Sequence, residues 1–118
     1  MAAYRLDLLI EQGSKFQLEY VVKDSSGAVR DLTGYTARMQ ARPTIDSDTI
    51  LFDIEPTIAM DGTDGTVTIF ISHIETTDFD WTAGVYDLEI INSDEDDGDD
   101  EVERILEGGI VVSQEVTR

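Results

Sequence analysis

Residues 84–107 read GVYDLEIINSDEDDGDDEVERILE, and this stretch decides how the rest of the chain is interpreted. Tyr86, Leu88 and Ile90 alternate with polar or charged residues before the acidic run, and Ile105 and Leu106 follow it. A period of two is typical of a half-buried strand. The stretch therefore predicts an antiparallel hairpin, with strands at 84–92 and 102–107 and an acidic loop at 93–101.

The acidic loop carries seven carboxylates between positions 94 and 101, which raises the question of a metal site. A calcium loop of the EF-hand type needs acids at positions one, three and five, glycine at six and glutamate at twelve. Counted from position 92, Asp94, Asp96 and Glu103 fit, but Asp97 occupies the glycine position and Gly98 comes one residue late. These three acids are a weak calcium candidate. The favoured interpretation is a solvated loop without a metal or a cofactor.

The same alternation recurs along most of the chain. It predicts strands in YRLDLLIE (4–11), KFQLEYVVK (15–23), YTARMQARP (35–43) and TVTIFIS (66–72), and shorter ones in ILFDIEP (50–56) and TIAM (57–60). Turn-forming residues dominate 24–34 and 61–65. The one helical signal is SHIETTDF (72–79), where Ser72 and Glu75 fit a capping box that begins a single turn.

Seven to nine short strands predict an all-β, immunoglobulin-like antiparallel sandwich that forms one domain over residues 1–118. Two sheets are expected because each must cover the apolar face of the other. A small barrel is the alternative. Gly108 and Gly109 predict a bulge or bend at which the last strand changes sheets. Tyr86 fits either a tyrosine corner or an ordinary buried aromatic.

The composition excludes several kinds of partner. Acids outnumber bases 26 to 8, and the formal net charge is −18. Phosphate backbones and anionic lipid headgroups would repel such a chain, so we expect neither a nucleic acid nor a membrane as a partner. The absence of cysteine excludes disulfides and thiolate metal sites. The N-terminal MAAYRLDLL lacks the apolar region of a signal peptide, so we expect the protein to begin near Met1.

The sequence gives no support to catalysis. His73 is the only histidine, and no Gly-flanked serine motif lies near it. Without cysteine it cannot join a Cys/His cluster or a cysteine nucleophile system. Carboxylates are so numerous that the pairing of any two carries almost no information. We therefore predict that the protein is not an enzyme.

Arg38 and Arg42 are the candidate interaction residues. They are two of only eight basic residues, and both lie on the outward side of the predicted strand at 35–43. In an acidic protein they should meet carboxylates, either in this chain or in a neighbouring protein.

Three stretches resemble a family of small virion structural proteins of tailed bacteriophages. They are LLIEQGSKFQLEYVVKDSSGAVRDLTGYTARMQAR (8–42), AGVYDLEI (83–90) and LEGGIVVSQEVTR (106–118). In that family an IEQG strand precedes an aromatic-rich strand, a DLTGY turn leads into ARMQ, and an LEG…VS…EVTR strand closes the chain. The resemblance does not extend to 43–65 or to the acidic loop. In place of the acidic loop, relatives have a short Asp-Gly turn. The chain is more distantly similar to the N-terminal sandwich of phage baseplate upper proteins.

The resemblance implies a structural protein in the virion that binds other virion proteins. A capsid decoration or cement protein is the first interpretation, with the major capsid protein as partner. A tail or baseplate adaptor is the alternative, and a homo-oligomer is compatible with either. From charge alone, an acidic inhibitor that mimics nucleic acid is a third hypothesis, although seven of the carboxylates fall in one loop rather than along a rigid surface.

Overall fold

A computed structural model describes residues 3–58, 64–93 and 100–116, which form two packed sheets and one short helix. In these residues the elements are β1 (Tyr4–Arg5), β2 (Leu8–Glu11), β3 (Phe16–Val21), β4 (Tyr35–Arg42), β5 (Phe52–Ile54), β6 (Thr57–Ile58), β7 (Thr66–Ile71), α1 (His73–Thr77), β8 (Ala83–Ser93) and β9 (Asp100–Ser113). Among the described residues, no helix has the length and apolar character needed to cross a membrane.

The strand order is that of an immunoglobulin-like sandwich. The large sheet has the order β1-β9-β8-β4-β5, with β2 also on β9, and the small sheet has the order β3-β7-β6. With β2 as the first strand, A, β3, β7 and β6 correspond to strands B, E and D, and β9, β8, β4 and β5 to G, F, C and C′. The predicted all-β sandwich with one helical turn is confirmed, and the small barrel is wrong because the two sheets are separate.

The first two strands depart from the predicted antiparallel arrangement. β1 and β2 run parallel to β9, with Tyr4 opposite Leu106 and Leu8 opposite Ile110. The other strand pairs are antiparallel. Alternation along one strand indicates which side chains are buried but carries no information on the direction of the neighbouring strand.

One hydrophobic core fills the space between the sheets. The inward positions of β4, β7 and β8 are among its most buried residues, as the alternation predicted. Met39, Ile69, Leu88 and Ile90 have no exposed surface. Each buried side chain of this size contributes roughly 1.5–3 kcal/mol relative to its exposed state, so this alternation is the main determinant of the fold.

The predicted hairpin is confirmed as the centre of the large sheet. β8 and β9 pair from Ala83 opposite Val111 to Ser93 opposite Asp100. The register shifts after Leu88, so that Ile105 is the extra residue of a bulge. Because of this bulge, the consecutive side chains of Ile105 and Leu106 are both buried. Residues 94–99 of the acidic loop lie outside the described residues.

One sequence-based prediction near this hairpin is wrong, and of the two alternatives for Tyr86 the ordinary buried aromatic is the one that holds. β9 does not change sheets at Gly108 and Gly109, since it stays on β8 throughout and its bulge lies at Ile105. Gly108 is instead required for close packing, because a Cβ there would collide with the carbonyl of Leu6. Tyr86 is not a tyrosine corner: its hydroxyl donates to that same Leu6 carbonyl rather than to backbone a few residues upstream.

The IEQG motif (10–13) connects the end of β2 to α1 by hydrogen bonds from Gln12. The Gln12 side-chain amide donates to the carbonyls of Thr77 and Phe79 at 3.2 and 3.0 Å. Its oxygen accepts from the Glu115 backbone N–H at 2.8 Å. The predicted helix cap is confirmed, since the Ser72 hydroxyl accepts from the Glu75 N–H at 3.1 Å. The Gln12 side chain therefore fixes these three backbone segments relative to one another.

Candidate protein-interaction face

The outward side of the large sheet, here called the large-sheet face, is the candidate interaction site. Cross-strand register arranges its side chains in five rows, each of which crosses β8 and β9 and includes a residue of at least one further strand. The rows are Ala83, Val111 and Leu9; Arg42, Val85 and Gly109; Asp53, Gln40, Asp87, Glu107 and Arg5; Arg38, Glu89 and Arg104; and Thr36, Ile91 and Val102.

The middle rows of this face are balanced in charge. They hold four of the eight basic residues of the chain, and they hold four acids. The bases are Arg5, Arg38, Arg42 and Arg104, and the acids are Asp53, Asp87, Glu89 and Glu107. A fifth acid, Asp7, borders these rows, since it lies 3.5 Å from Arg5 and accepts from the Gly109 N–H at 2.9 Å. The whole chain carries a formal charge of −18, so the large-sheet face is a nearly neutral area of an acidic protein. Such an area can approach another acidic protein without the repulsion that the remaining surface would meet.

A hydrogen-bonded network crosses β4 and β5 within this face. Arg38 forms an ion pair with Asp53 at 3.1 Å, and the Gln40 amide donates to the same carboxylate oxygen at 2.9 Å. Arg42 donates to the Gln40 side-chain oxygen at 3.2 Å and to the Ser47 carbonyl at 2.8 Å. The bonds from Arg38 and Gln40 hold the pKa of Asp53 below its ordinary value. The network fixes the side chains of this part of the face in one arrangement.

Asp87 lies near the centre of the face in a different environment. It is half-buried in a shallow depression whose lining includes Arg5, Gln40 and Arg104. Burial raises the pKa of Asp87, and the positive charge of Arg104 opposes this only in part. Arg104 itself is 2.9 Å from Glu107. Asp87 is therefore a desolvated carboxylate that a donor from a partner protein would stabilise.

Apolar side chains occupy both ends of the face. Leu9 and Val111 are adjacent at one end, and they are 58% and 48% exposed. Ile91 and Val102 are paired at the other end, and Val102 is 55% exposed. A mixture of apolar side chains with arginine and hydrogen-bonding groups resembles the composition of protein–protein interfaces.

The structure places the predicted interaction residues on this face. The carboxylate that Arg38 meets belongs to this chain, and Arg42 is bound to a side-chain amide oxygen and a backbone carbonyl. Their contact with a neighbouring protein stays a prediction. The sequence did not indicate Asp53, Asp87 or Arg104 as members of the site, because the rows depend on which strands are neighbours. Their outward positions were readable from the alternation, but their juxtaposition was not.

The calcium candidates are only partly described. Asp94 and Asp96 lie outside the described residues. Glu103 forms an ion pair with Arg30, which also lies 5.9 Å from the centre of the Tyr35 ring. Within 3–58, 64–93 and 100–116, no group of three or more histidine or acidic side chains is arranged to hold a metal ion. His73 is exposed on α1.

Comparisons with known proteins add little to this description. No family model matches the chain, and no curated protein matches it. One similar solved structure is described as "Structure-based site-directed photo-crosslinking analyses of multimeric cell-adhesive interactions of VGSC beta subunits". It is 14% identical, with 94% of this chain and 92% of that chain covered and a TM-score of 0.46. Another, "Tim-1", is 12% identical, with 100% and 99% covered and a TM-score of 0.43. The fold therefore rests on the strand order of the chain itself.

Proposed function

We propose that this chain is a non-enzymatic structural protein of a tailed-phage virion that binds other virion proteins through the large-sheet face. Its first role would be capsid decoration or cementing, with the major capsid protein as partner. A tail or baseplate adaptor is the alternative mounting. The virion assignment is supported by the resemblance of 8–42, 83–90 and 106–118 to the phage family.

The observation that carries the binding role is the concentration of half the basic residues on one sheet face of a protein with net charge −18. If the arginines served only solubility, they could lie anywhere on the acidic surface. Here they lie on one sheet face, beside carboxylates of the same row or of the adjacent row. Such a pattern favours a partner with a complementary arrangement of charges and gives the contact its orientation.

The experiment exchanges charges within the face while it keeps the net charge. One variant combines Arg38→Asp with Asp53→Arg and Arg104→Glu with Glu107→Arg, so that both intrachain ion pairs are retained in reversed order. A control combines Thr66→Glu with Thr68→Lys, two positions on the outward side of β7, so that the new lysine lies opposite Glu19 of β3. Both variants are first tested for folding by circular dichroism. Each is then produced in phage-infected cells, and its copies per purified particle are counted by mass spectrometry.

We expect the control to enter particles like the original protein and the exchanged variant to enter them at least about tenfold less, a difference of roughly 1.4 kcal/mol in binding. If the folded, exchanged variant enters particles at the original copy number, the large-sheet face is not the binding site.

A further inference from the structure

The small sheet has an open edge at β3. β7 is the only strand paired with β3 in the described residues, so the six residues Phe16–Val21 present one side of their backbone to no other strand. The opposite edge of the same sheet is β6, which has two residues. An open strand of six residues is long enough to accept another strand by backbone hydrogen bonding.

The hydrogen bond of Val22, the residue after β3, shows which way the N–H and C=O groups of β3 point. The Val22 N–H donates to the Gly65 carbonyl at 2.8 Å, on the side of β7. Backbone N–H and C=O groups alternate in direction along a strand. The groups of Gln17, Glu19 and Val21 therefore point away from β7, at the open edge.

The two lysines of the chain lie at the two ends of this edge. Lys15 precedes β3 and Lys23 follows it, and the chain contains no other lysine. Both are exposed, and neither belongs to a salt bridge within the described part of the chain. The sequence from 15 to 23 carries two bases and one acid, so the open edge has a small positive charge in a protein of net charge −18.

A groove runs beside the edge at the Lys23 end. It has a volume of about 310 Å³, and its lining includes Tyr4, Tyr20, Val22 and Ile105. The charged side chains of Lys23, Arg30, Glu103 and Arg104 complete its wall. The rings of Tyr4 and Tyr20 face each other with centroids 6.4 Å apart. The groove can receive an apolar side chain from a strand that lies along β3, since alternate side chains of an added strand point toward the core.

We propose that β3 is a strand-addition site for an extended, acidic segment of a partner virion protein. The added strand hydrogen-bonds to Gln17, Glu19 and Val21, places an apolar side chain in the groove, and brings acids to Lys15 and Lys23. This inference rests on the proposed function and adds a second contact to the large-sheet face. A partner segment fits better than a second copy, because antiparallel pairing of β3 with itself about Leu18 would place Lys15 beside Val21 and offer the lysines no acid.

The test uses two synthetic ten-residue peptides and the full chain. Both peptides have an alternating threonine and valine centre, and one carries two glutamates at each end while the other carries two lysines. Binding is measured by fluorescence anisotropy at low and high salt. We expect the glutamate peptide to bind at least about tenfold more tightly than the lysine peptide and to weaken with salt.

Two substitutions at one position separate strand addition from a simple charge effect. Glu19→Pro removes an N–H that points to the open edge and leaves the β7 ladder intact, whereas Glu19→Ala keeps that N–H. We expect Glu19→Pro to lose at least about tenfold in affinity for the glutamate peptide and Glu19→Ala to retain it. Lys15→Glu with Lys23→Glu, a variant that makes no demand on the backbone, should lose the preference for the glutamate peptide.

Equal binding of the two peptides, no binding of either, or undiminished binding by a folded Glu19→Pro variant would overturn the proposal. Concentration-dependent dimers in sedimentation that Glu19→Pro abolishes would also overturn it, since a second copy would then occupy the edge. None of these results depends on whether the protein is found in virions, so a failure of the strand-addition site is distinguishable from a failure of the virion assignment.

Discussion

Asp53 and Asp87 are neighbours of Gln40 on opposite sides of β4, and their environments push their pKa values in opposite directions. Arg38 and Gln40 bond to Asp53 and lower its pKa. Burial dominates at Asp87 and raises its pKa. A carboxylate with a lowered pKa stabilises the folded state above its unfolded pKa, and one with a raised pKa destabilises the folded state when it ionises.

The first prediction compares Asp53→Asn with Asp87→Asn, which remove the same single charge. At pH 7 we expect Asp87→Asn to raise the free energy of unfolding and Asp53→Asn to lower it. The gain from Asp87→Asn should shrink as the pH falls through the raised folded pKa of Asp87 and should vanish below the unfolded pKa of about 3.9, where the side chain is protonated in both states. The loss from Asp53→Asn should shrink as the pH falls through the lowered pKa of Asp53. Urea unfolding across this range checks both, and effects of the same sign at pH 7 would contradict the assigned causes.

The second prediction concerns the hydrogen bond from Tyr86 to the Leu6 carbonyl. Burial raises the pKa of Tyr86 to about 12, so its hydroxyl keeps its proton at neutral pH. We expect Tyr86→Phe to destabilise the fold by about 1–3 kcal/mol, because the Leu6 carbonyl loses its donor. It should also remove part of the fall in stability above about pH 10, where the unfolded tyrosine ionises first. Tyr4→Phe at an exposed ring is the control, and equal losses in the two variants would refute this role of Tyr86.

At the scale of elements, the third prediction concerns the turn between β8 and β9. Ser93 lies opposite Asp100, so two residues can close the hairpin in place of 94–99. We expect replacement of 94–99 by Asn-Gly to leave thermal stability at low salt unchanged or slightly raised, because it removes like charges. A large loss of stability would contradict this. So would a calcium-dependent rise in the melting temperature of the original protein that the replacement abolishes, since it would indicate a structural metal site.

The fourth prediction concerns the connection that Gln12 makes between β2, α1 and the segment after β9. Gln12→Ala removes one donor group and one acceptor at once. We expect a loss of about 1–3 kcal/mol in urea unfolding and faster hydrogen exchange at Glu115. Gln114→Ala, at an exposed position, is the matched control. Unchanged hydrogen exchange at Glu115 in the Gln12 variant would show that Gln12 does not hold the segment after β9 in place.

The sequence predicted the buried residues of some strands and the position of α1, but it did not predict how all the strands pair. The alternation in 35–42 and 84–92 predicted the inward residues, and the Ser72 cap predicted α1. The parallel pairing of β1 and β2 could not be read, because it depends on packing between distant segments. The same limit applies to the large-sheet face: the outward position of Arg38 was readable, but its pairing with Asp53 required the register of β5 on β4.

At the scale of the whole molecule, charge is distributed unevenly over the surface. The acidic remainder of the surface repels other acidic surfaces and favours solubility. The large-sheet face is nearly neutral, and the edge of β3 is bounded by both lysines. A protein with this distribution is expected to bind in one orientation, with its acidic parts directed into solvent.

The most direct test of the proposed function is quantitative mass spectrometry of purified phage particles from cells that produce this chain. The account predicts that the chain is present in many copies. A fixed ratio to the major capsid protein would indicate decoration, and a ratio to tail or baseplate proteins would indicate the alternative mounting. Absence of the chain from intact particles, together with its recovery in a complex with a host DNA-binding protein, would contradict the account and favour the nucleic-acid mimic.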